Sequence, residues 1–232
     1  CVSCSAPARG TLTTPTSICI GTSTSIVGSN VSGANYQWQQ FVSGSWQNIG
    51  GNTRNIATPT LSSSRNFRRR TYDCSPRENS NWRNVTVSIK PLPTVTDPID
   101  QLICVDVTTT LVTFGGGIGG TTYGWTNDDA GTGLASSGSG NIASFTGVNG
   151  GTTDLVSTIT VTPTLNSCPG TAETFTITVK PLPTVTDPID QLICVDATTT
   201  LVTFGGGIGG TTYDWTNDDA GTGLASSGSG NI

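Results

Sequence analysis

Apolar and hydroxyl residues alternate strictly in several short segments of the chain. Residues 85–89, 159–162 and 175–179 read VTVSI, ITVT and FTITV. A period of two places one face of a β-strand in a core and leaves the other face, which is polar and β-branched, in water. Clusters of Gly, Ser and Asn separate these segments, and nowhere do apolar residues recur at helical spacing. The pattern predicts an all-β protein.

A tandem repeat divides the chain. Residues 180–232 reproduce residues 90–142 with two changes in 53 aligned positions, at a period of 90. A fixed period of this length marks an array of like modules. Residues 1–90 form a more distant copy, because they end in the same strand pattern as the second copy and the segment PLPTVTDPID follows both.

These boundaries predict two complete modules, 1–90 and 91–180, and a partial third copy, 181–232. The third copy lacks a counterpart of residues 143–180, and we interpret it as truncated. Each complete module has the length of an Ig-like sandwich and one tryptophan on an early strand. The connector Lys-Pro-Leu-Pro leaves few free residues, and its prolines favour an extended backbone. We therefore expect tandem β-sandwich modules in an elongated array.

Composition excludes several classes of function. The chain contains no histidine, so it cannot form a Ser/His/Asp triad, a Cys–His dyad or a histidine metal site. No apolar segment approaches the ~20 residues of a membrane-spanning helix, so we expect no membrane insertion in this segment. The segment GGGIGG at 115–120 precedes a strand pattern, whereas a phosphate-binding loop precedes a helix. Asp128 and Asp129 are adjacent and point apart on a strand, unlike a glycosidase pair. We predict no enzyme activity.

The second module resembles a known repeat. TTYGWTNDDAGTGLASSGSGNIASFTGVN (121–149) and STITVTPTLNSCPGTAETFTITVKPLPTV (157–185) are similar to the PKD-like repeat of very large secreted surface proteins of Bacteroidota. That group includes gliding-motility adhesins of the SprB kind, which the type IX secretion system exports. Residues 1–90 resemble the Ig-like modules that accompany these repeats. The resemblance implies an extracellular stalk or filament segment at the cell surface, involved in adhesion or gliding motility, whose partners are neighbouring modules of the same chain.

Seven cysteines in a β protein of low charge indicate an oxidising compartment. Pairing within modules would join Cys19 to Cys74 and Cys104 to Cys168. In an Ig-like sandwich these positions lie at opposite strand ends, about 20 Å apart for six residues at ~3.3 Å each. A disulfide requires Cα atoms within about 7 Å. We therefore favour a staggered pairing, Cys19–Cys168, over pairing within modules.

The staggered scheme assigns the remaining cysteines as well. Cys74 would pair with Cys1 or Cys4, and Cys104 would await the module that is cut short. Cys194 is the counterpart of Cys104 in the third copy. The C-x-x-C at Cys1–Cys4 has no second pair at zinc spacing, so we predict no redox or metal site there.

Charge is distributed unevenly. Residues 1–90 carry nine basic and two acidic side chains, whereas residues 91–232 carry one basic and thirteen acidic side chains. A cluster in the first module, which includes Arg68 and Arg70 on one strand face and Arg69 on the other, predicts an anion or glycan patch, with a solvated strand face as the alternative. An exposed Trp46 or Trp82 would complete a polysaccharide site. Nucleic acid is a poor partner for a chain this acidic overall. The residues of the candidate patch are Arg65, Arg68, Arg69 and Arg70.

Calcium is the only cofactor for which the sequence offers ligands. Asn127, Asp128 and Asp129 provide side-chain oxygens, as do Asp97 and Asp100 near the module joint. Their spacing is not that of an EF-hand, and Asn, Asp and Gly are also ordinary turn residues. Turn formation is therefore the alternative explanation for the same residues.

Overall fold

A computed structural model describes residues 7–72 and 81–232. The regular elements are short β-strands and two three-residue 3-10 helices, Ala130–Thr132 and Ala220–Thr222. Nothing in the described ranges is a helix long and apolar enough to cross a membrane. The strands, in chain order, are β1 Leu12–Thr13, β2 Ile18–Cys19, β3 Ser25–Gly28, β4 Asn35–Val42, β5 Ser45–Ile49, β6 Ile56–Ala57, β7 Arg65–Tyr72, β8 Asn81–Val87, β9 Ile89–Lys90, β10 Gln101–Cys104, β11 Thr122–Asn127, β12 Ser137–Ser139, β13 Leu155–Leu165, β14 Cys168–Pro169, β15 Glu173–Lys180, β16 Asp214–Thr216 and β17 Ser227–Ser229.

The chain forms two compact units. The first contains the residues up to Thr94 together with segments 118–121 and 164–171. The second contains segments 95–117, 122–163 and 172–232. The domain boundaries predicted at Lys90 and Lys180 follow the sequence repeat and stay predictions.

The first unit contains two sheets that share one core. One sheet has the strand order β1-β3-β6 and the other β5-β4-β7-β8, which is the arrangement of an Ig-like sandwich. The short strands β2 and β9 pair in parallel, with Cys19 opposite Lys90. The core residues alternate along their strands with polar neighbours, as a period of two requires. The fully buried apolar side chains are Ile26, Trp38, Leu61, Phe67 and Val87.

The final strand of the first module changes partner at Ser88. β8 pairs with β7 through Val87, whereas β9 pairs with β2 from Ile89 onward. The sequence pattern over 85–89 predicts one continuous strand. The structure divides it, because the backbone leaves one sheet partner and takes up another.

The second unit contains a larger sheet with the strand order β10-β15-β13-β11-β12. β10 pairs with β15 in parallel, while β13 and β15 are antiparallel. Bridges from Val112 to Ile142 and from Thr108 to Thr146 lie outside the named strands. Together with the first unit, this confirms the predicted all-β architecture of Ig-like sandwich modules. The buried core consists of Val95, Val112, Trp125, Leu134, Ile142, Ile159, Val161, Phe175 and Ile177.

Cys19 and Cys168 form a disulfide with their Cα atoms 5.6 Å apart. The bond confirms the staggered pairing, and the pairing of Cys104 with Cys168 inside one module was the wrong alternative. Cys104 and Cys194 are free and exposed. The proposed partners Cys1, Cys4 and Cys74 lie outside the described residues. A disulfide fits a secreted or extracellular protein.

Candidate functional site

The arginine cluster of the first module lies on β7, a central strand of the four-stranded sheet. Burial along this strand alternates, so that Phe67, Arg69 and Thr71 face the core. Arg68 and Arg70 project from the opposite face. The strand therefore divides the cluster, and only part of it forms one surface.

Arg68 lies between two tryptophans. The Cζ atom of its guanidinium is 4.0 Å from the ring centroid of Trp46 and 4.0 Å from that of Trp82. Trp46 is on β5 and Trp82 on β8, the two edge strands of this sheet, whereas Arg68 is on the central strand β7. Each cation–π contact at an exposed site contributes about 0.5–1 kcal/mol.

A row of polar side chains fixes the orientation of Arg68. Its Nε–H donates to Oε1 of Gln39 at 2.8 Å, and Nε2 of Gln39 donates to Oδ1 of Asn48 at 2.8 Å. These residues face one another because Gln39 is opposite both Asn48 and Arg68 in the sheet register. The guanidinium is therefore held in place by both stacking and hydrogen bonding.

The same face continues on both sides of Arg68. Phe41 meets Trp46 edge to face with ring centroids 5.2 Å apart. Arg70 lies 5.1 Å from the centroid of Trp82 and 5.7 Å from that of Tyr72. We call this surface the Arg–Trp ladder. It consists of Phe41, Trp46, Arg68, Trp82, Arg70 and Tyr72.

The ladder is electropositive. Burial lowers the pKa of Arg68 from its ordinary value, and the neighbouring charge of Arg70 lowers it further. An arginine nonetheless keeps its charge in proteins. The acidic residues of 1–90 are Asp73 and Glu78, and both lie outside the described residues. A surface of this kind can stack on planar or sugar rings and pair with carboxylate or sulfate groups.

Arg69 is not part of the predicted patch. Its side chain is 1% exposed and lies in the core of the first unit, with its Cζ 4.8 Å from the ring centroid of Tyr36. Its Nη1 donates to the backbone carbonyls of Ser29 and Arg54 at 3.3 and 3.0 Å. Burial lowers the pKa of Arg69, and the charge of Arg54 adds to this while Tyr36 opposes it. The patch prediction is therefore wrong for Arg69, because the strand period turns it inward.

Gly28 makes room for the buried guanidinium. A Cβ atom at Gly28 would lie 1.8 Å from Nη1 of Arg69. Arg65 is also separate from the ladder: it is half-buried at the start of β7, and its Nη1 donates to Oε1 of Gln40 at 3.2 Å. Of the four predicted arginines, the ladder brings together Arg68 and Arg70.

The candidate calcium ligands of the second module take part in a turn. Asp129 caps the 3-10 helix, with its Oδ1 accepting from the N–H of Gly131 at 2.8 Å. Asn127 donates through Nδ2 to the carbonyls of Asp129 and Leu134. Oδ1 of Asp128 accepts from the N–H of Thr158 at 2.6 Å. These bonds correspond to the turn alternative, and the described residues contain no group of three Cys, Asp or Glu side chains placed to hold a metal.

Asp100, another candidate calcium ligand, and the glycine-rich segment 115–120 also have structural roles. Oδ1 of Asp100 accepts from the N–H of Thr176 at 2.6 Å, so this carboxylate joins β15 to the segment that precedes β10. The glycine-rich segment 115–120 precedes β11, a strand, as its sequence context indicates.

Sequence reasoning identified the tryptophans and arginines but not their stacking. Trp46 and Trp82 are separated from Arg68 by 22 and 14 residues, and they meet it only through three strand pairings, β4–β5, β4–β7 and β7–β8. The available signal was the alternation Arg68–Arg69–Arg70 on a strand flanked by tryptophan-containing strands. Register across the sheet was the missing information.

The comparisons with known proteins concern the fold. A family model described as a domain of unknown function (DUF8696) matches residues 8–89. No curated protein matches the chain in sequence. The similar solved structures have TM-scores near 0.4, so the fold described above rests on the strand order of this chain.

Three of these structures contain several domains. Sidekick-1 immunoglobulin domains 1–4 are 12% identical with a TM-score of 0.40, over 76% of this chain and 49% of that one. A three-immunoglobulin-domain structure of titin is 11% identical with a TM-score of 0.41, over 87% and 75%. The three N-terminal domains of the bacteriophage RB49 highly immunogenic outer capsid protein are 10% identical with a TM-score of 0.41, over 74% and 69%. The chain thus spans about half the length of the Sidekick-1 structure.

Proposed function

We propose that the chain is a load-bearing segment of a repetitive, secreted surface adhesin, in which tandem sandwiches act as a stalk or filament for adhesion or gliding motility. The observation that carries this proposal is the Cys19–Cys168 bond, because it joins a cysteine of the first sequence repeat to one of the second. The bond is a covalent connection between successive repeats. It limits how far the repeats can separate under tension.

Strand topology supports a mechanical role. β2 and β9 pair in parallel near the beginning and the end of the first module, and β10 and β15 do so in the second. When the Cys19–Cys168 bond is reduced, tension between the ends of a module pulls such a pair in opposite directions along the strand axes. The hydrogen bonds, such as Ile20 N–H to Lys90 O at 3.1 Å and Val105 N–H to Lys180 O at 2.9 Å, are then loaded together rather than one after another.

The disulfide provides a second path for the load. The bond joins residues that are 149 positions apart in sequence. Because it is covalent, tension that reaches Cys19 passes directly to Cys168. The chain between them cannot extend while the bond is intact. Most of the core residues lie inside this loop and are thereby protected from stretching, whereas Phe175 and Ile177 of β15 follow Cys168.

Single-molecule stretching of the full chain tests the proposal. Without reductant, we expect the segment between Cys19 and Cys168 to contribute no extension. Reduction should add about 500 Å of contour length, from 149 residues at ~3.4 Å each. Cys19→Ser should extend without reductant over the part of the loop after Cys74, because a bond from Cys74 to Cys1 or Cys4 would keep the earlier part closed. Cys194→Ser, which removes a free thiol, should behave as the unaltered chain. An unreduced chain that extends by the full length would overturn the load-bearing role.

A second candidate function is binding of an anionic polysaccharide to the Arg–Trp ladder. The placement of Arg68 between Trp46 and Trp82 favours it, because aromatic faces and a fixed guanidinium occur together on one exposed sheet. Binding of the full chain to immobilised polyuronate should weaken about tenfold in Arg68→Ala, a loss of about 1.4 kcal/mol. Arg83→Ala removes an exposed charge from the other face of β8 and serves as the matched control. Equal losses in both variants would indicate attraction by net charge alone.

A further inference from the structure

The three sequence repeats contain the same cysteine turn. In the first, the N–H of Thr22 donates to the carbonyl of Cys19 at 3.2 Å. In the second, Val107 donates to Cys104 at 3.2 Å. Each turn has a positive φ at its third position, as a type II turn requires. The third-position residues are Gly21 at +79°, Asp106 at +64° and, in the turn that begins at Cys194, Asp196 at +71°.

Cys19 and Cys104 also share a strand environment. Cys19 is opposite Lys90 in the parallel pair β2–β9, and Cys104 is opposite Lys180 in the parallel pair β10–β15. The residue after each cysteine donates its N–H to the carbonyl of that lysine, at 3.1 and 2.9 Å. The two thiols therefore occupy equivalent positions at the ends of two modules.

The partner of Cys19 is presented by a tight hairpin. Leu165 and Cys168 face each other across a two-residue loop, Asn166-Ser167. Both loop residues have positive φ, at 50° and 66°, which is the signature of a type I′ turn. The Nζ of Lys90 donates to the carbonyl of Asn166 at 3.0 Å. The lysine opposite Cys19 thus binds the hairpin that supplies the second sulfur.

These observations show that two structural elements supply the two cysteines of the disulfide. One is the cysteine turn with its opposing lysine, and the other is the hairpin. In the first module the turn is bonded, at Cys19. In the second module the same turn and lysine, Cys104 and Lys180, are present, and Cys104 is free and exposed.

We propose that Cys104 is a disulfide site for the hairpin cysteine of a further complete repeat, so that successive repeats are joined at every step of the array. The ligand is a thiol on a hairpin like Leu165–Cys168, and the Nζ of Lys180 binds a carbonyl of that hairpin loop. The two thiols lose two protons and two electrons to a disulfide oxidant such as oxidised glutathione, which is reduced to two thiols. This inference rests on the proposed stalk of tandem repeats.

The test extends the full chain so that its third copy is complete. A second copy of residues 143–180 is added after Ile232, which supplies strands like β13 and β15 and a hairpin cysteine. The protein is refolded with oxidised and reduced glutathione and digested without reduction. We expect a peptide that joins Cys104 to the added cysteine, alongside the Cys19–Cys168 peptide, and loss of Cys104 alkylation.

Three variants serve as matched controls. Replacing the added cysteine with serine should restore alkylation of Cys104 and leave Cys19–Cys168 unchanged. Lys180→Met should slow formation of the new bond, whereas Lys90→Met should slow formation of Cys19–Cys168. The difference in tryptophan emission between this chain and its Trp215→Phe variant reports separately whether the third copy folds, because the emission of Trp215 should shift to shorter wavelength as it becomes buried.

The outcomes distinguish the two proposals. If Trp215 becomes buried while Cys104 stays open to alkylation, or pairs with Cys194, the disulfide site is overturned and the stalk of repeats stands. If the emission of Trp215 does not shift when the strands are added, the third copy is not a module. In that case the array is overturned, and the inference falls with it.

Discussion

Residues 90–142 and 180–232 have almost the same sequence, yet they are buried to different extents. Val95 is 8% exposed, whereas its counterpart Val185 is 58% exposed. Trp125 is buried in the core, and Trp215 is half-buried. Residues 90–142 are followed by β13 and β15, which contribute core residues, and no counterpart of these strands follows residues 180–232 within the 232 residues. Burial at these positions therefore depends on strands that lie outside the repeated 53 residues.

Other features are the same in both copies. Trp125 is opposite Gly138 in the β11–β12 hairpin, and Trp215 is opposite Gly228 in β16–β17. The capping bond to Gly131 is 2.8 Å long, and its counterpart in the third copy is also 2.8 Å long. These interactions span few residues. The comparison shows that hairpins and caps form from local sequence, while the core requires distant strands.

The largest difference in the free energy of unfolding is expected between variants of the equivalent residues Trp125 and Trp215. Trp125→Ala removes a buried indole from the core and should lower the free energy of unfolding by about 3–5 kcal/mol. Trp215→Ala removes an indole that lacks the covering strands and should cost less than about 1 kcal/mol. Urea unfolding followed by circular dichroism measures both. Equal losses would mean that the third copy has a core of its own.

Much of the fold could be predicted because it follows from periodicity. Strict alternation over 159–162 and 175–179 identifies parts of β13 and β15, and the repeat defines equivalent positions. The Cys19–Cys168 bond could be predicted from strand length together with the order of the modules, because pairing within a module was expected to span a whole strand. These inferences need strand geometry and the repeat, and no knowledge of register across a sheet.

The candidate site could be predicted only in part, because it depends on pairings between strands. A period of two separates Arg69 from Arg68, but it does not indicate whether the inward-facing arginine is tolerated. That depends on Gly28, on a strand of the other sheet, where a Cβ atom would overlap the guanidinium. A buried charge of this kind is rare, so composition favours a surface position for every arginine.

A smaller difference in the free energy of unfolding is expected between variants of the equivalent residues Asn127 and Asn217. Asn127 is 7% exposed, and its side chain bonds the backbone of Asp129 and Leu134. Asn127→Ala leaves these buried groups without partners and should cost about 1–3 kcal/mol. Asn217→Ala removes the equivalent bonds where water can replace them, so its cost should stay below about 1 kcal/mol.

Hydrogen exchange sharpens the asparagine comparison. In Asn127→Ala the amide of Asp129 loses its acceptor, the Oδ1 of residue 127, and should exchange faster. In Asn217→Ala the amide of Asp219 should change little, because it is already near solvent. A larger stability loss in Asn217→Ala than in Asn127→Ala would contradict the role assigned to the covering strands.

The smallest effect is expected where the two copies have the same environment. Ile99 is 85% exposed, and Ile189 is 89% exposed. Because neither side chain is covered, Ile99→Ala and Ile189→Ala should each change the free energy of unfolding by less than about 0.5 kcal/mol. The same urea titration measures this pair. If Ile99→Ala alone lowered the free energy of unfolding by more than about 1 kcal/mol, substitutions in residues 90–142 would be more destabilising even at exposed positions. The differences at Trp125 and Asn127 would then not be due to burial under β13 and β15.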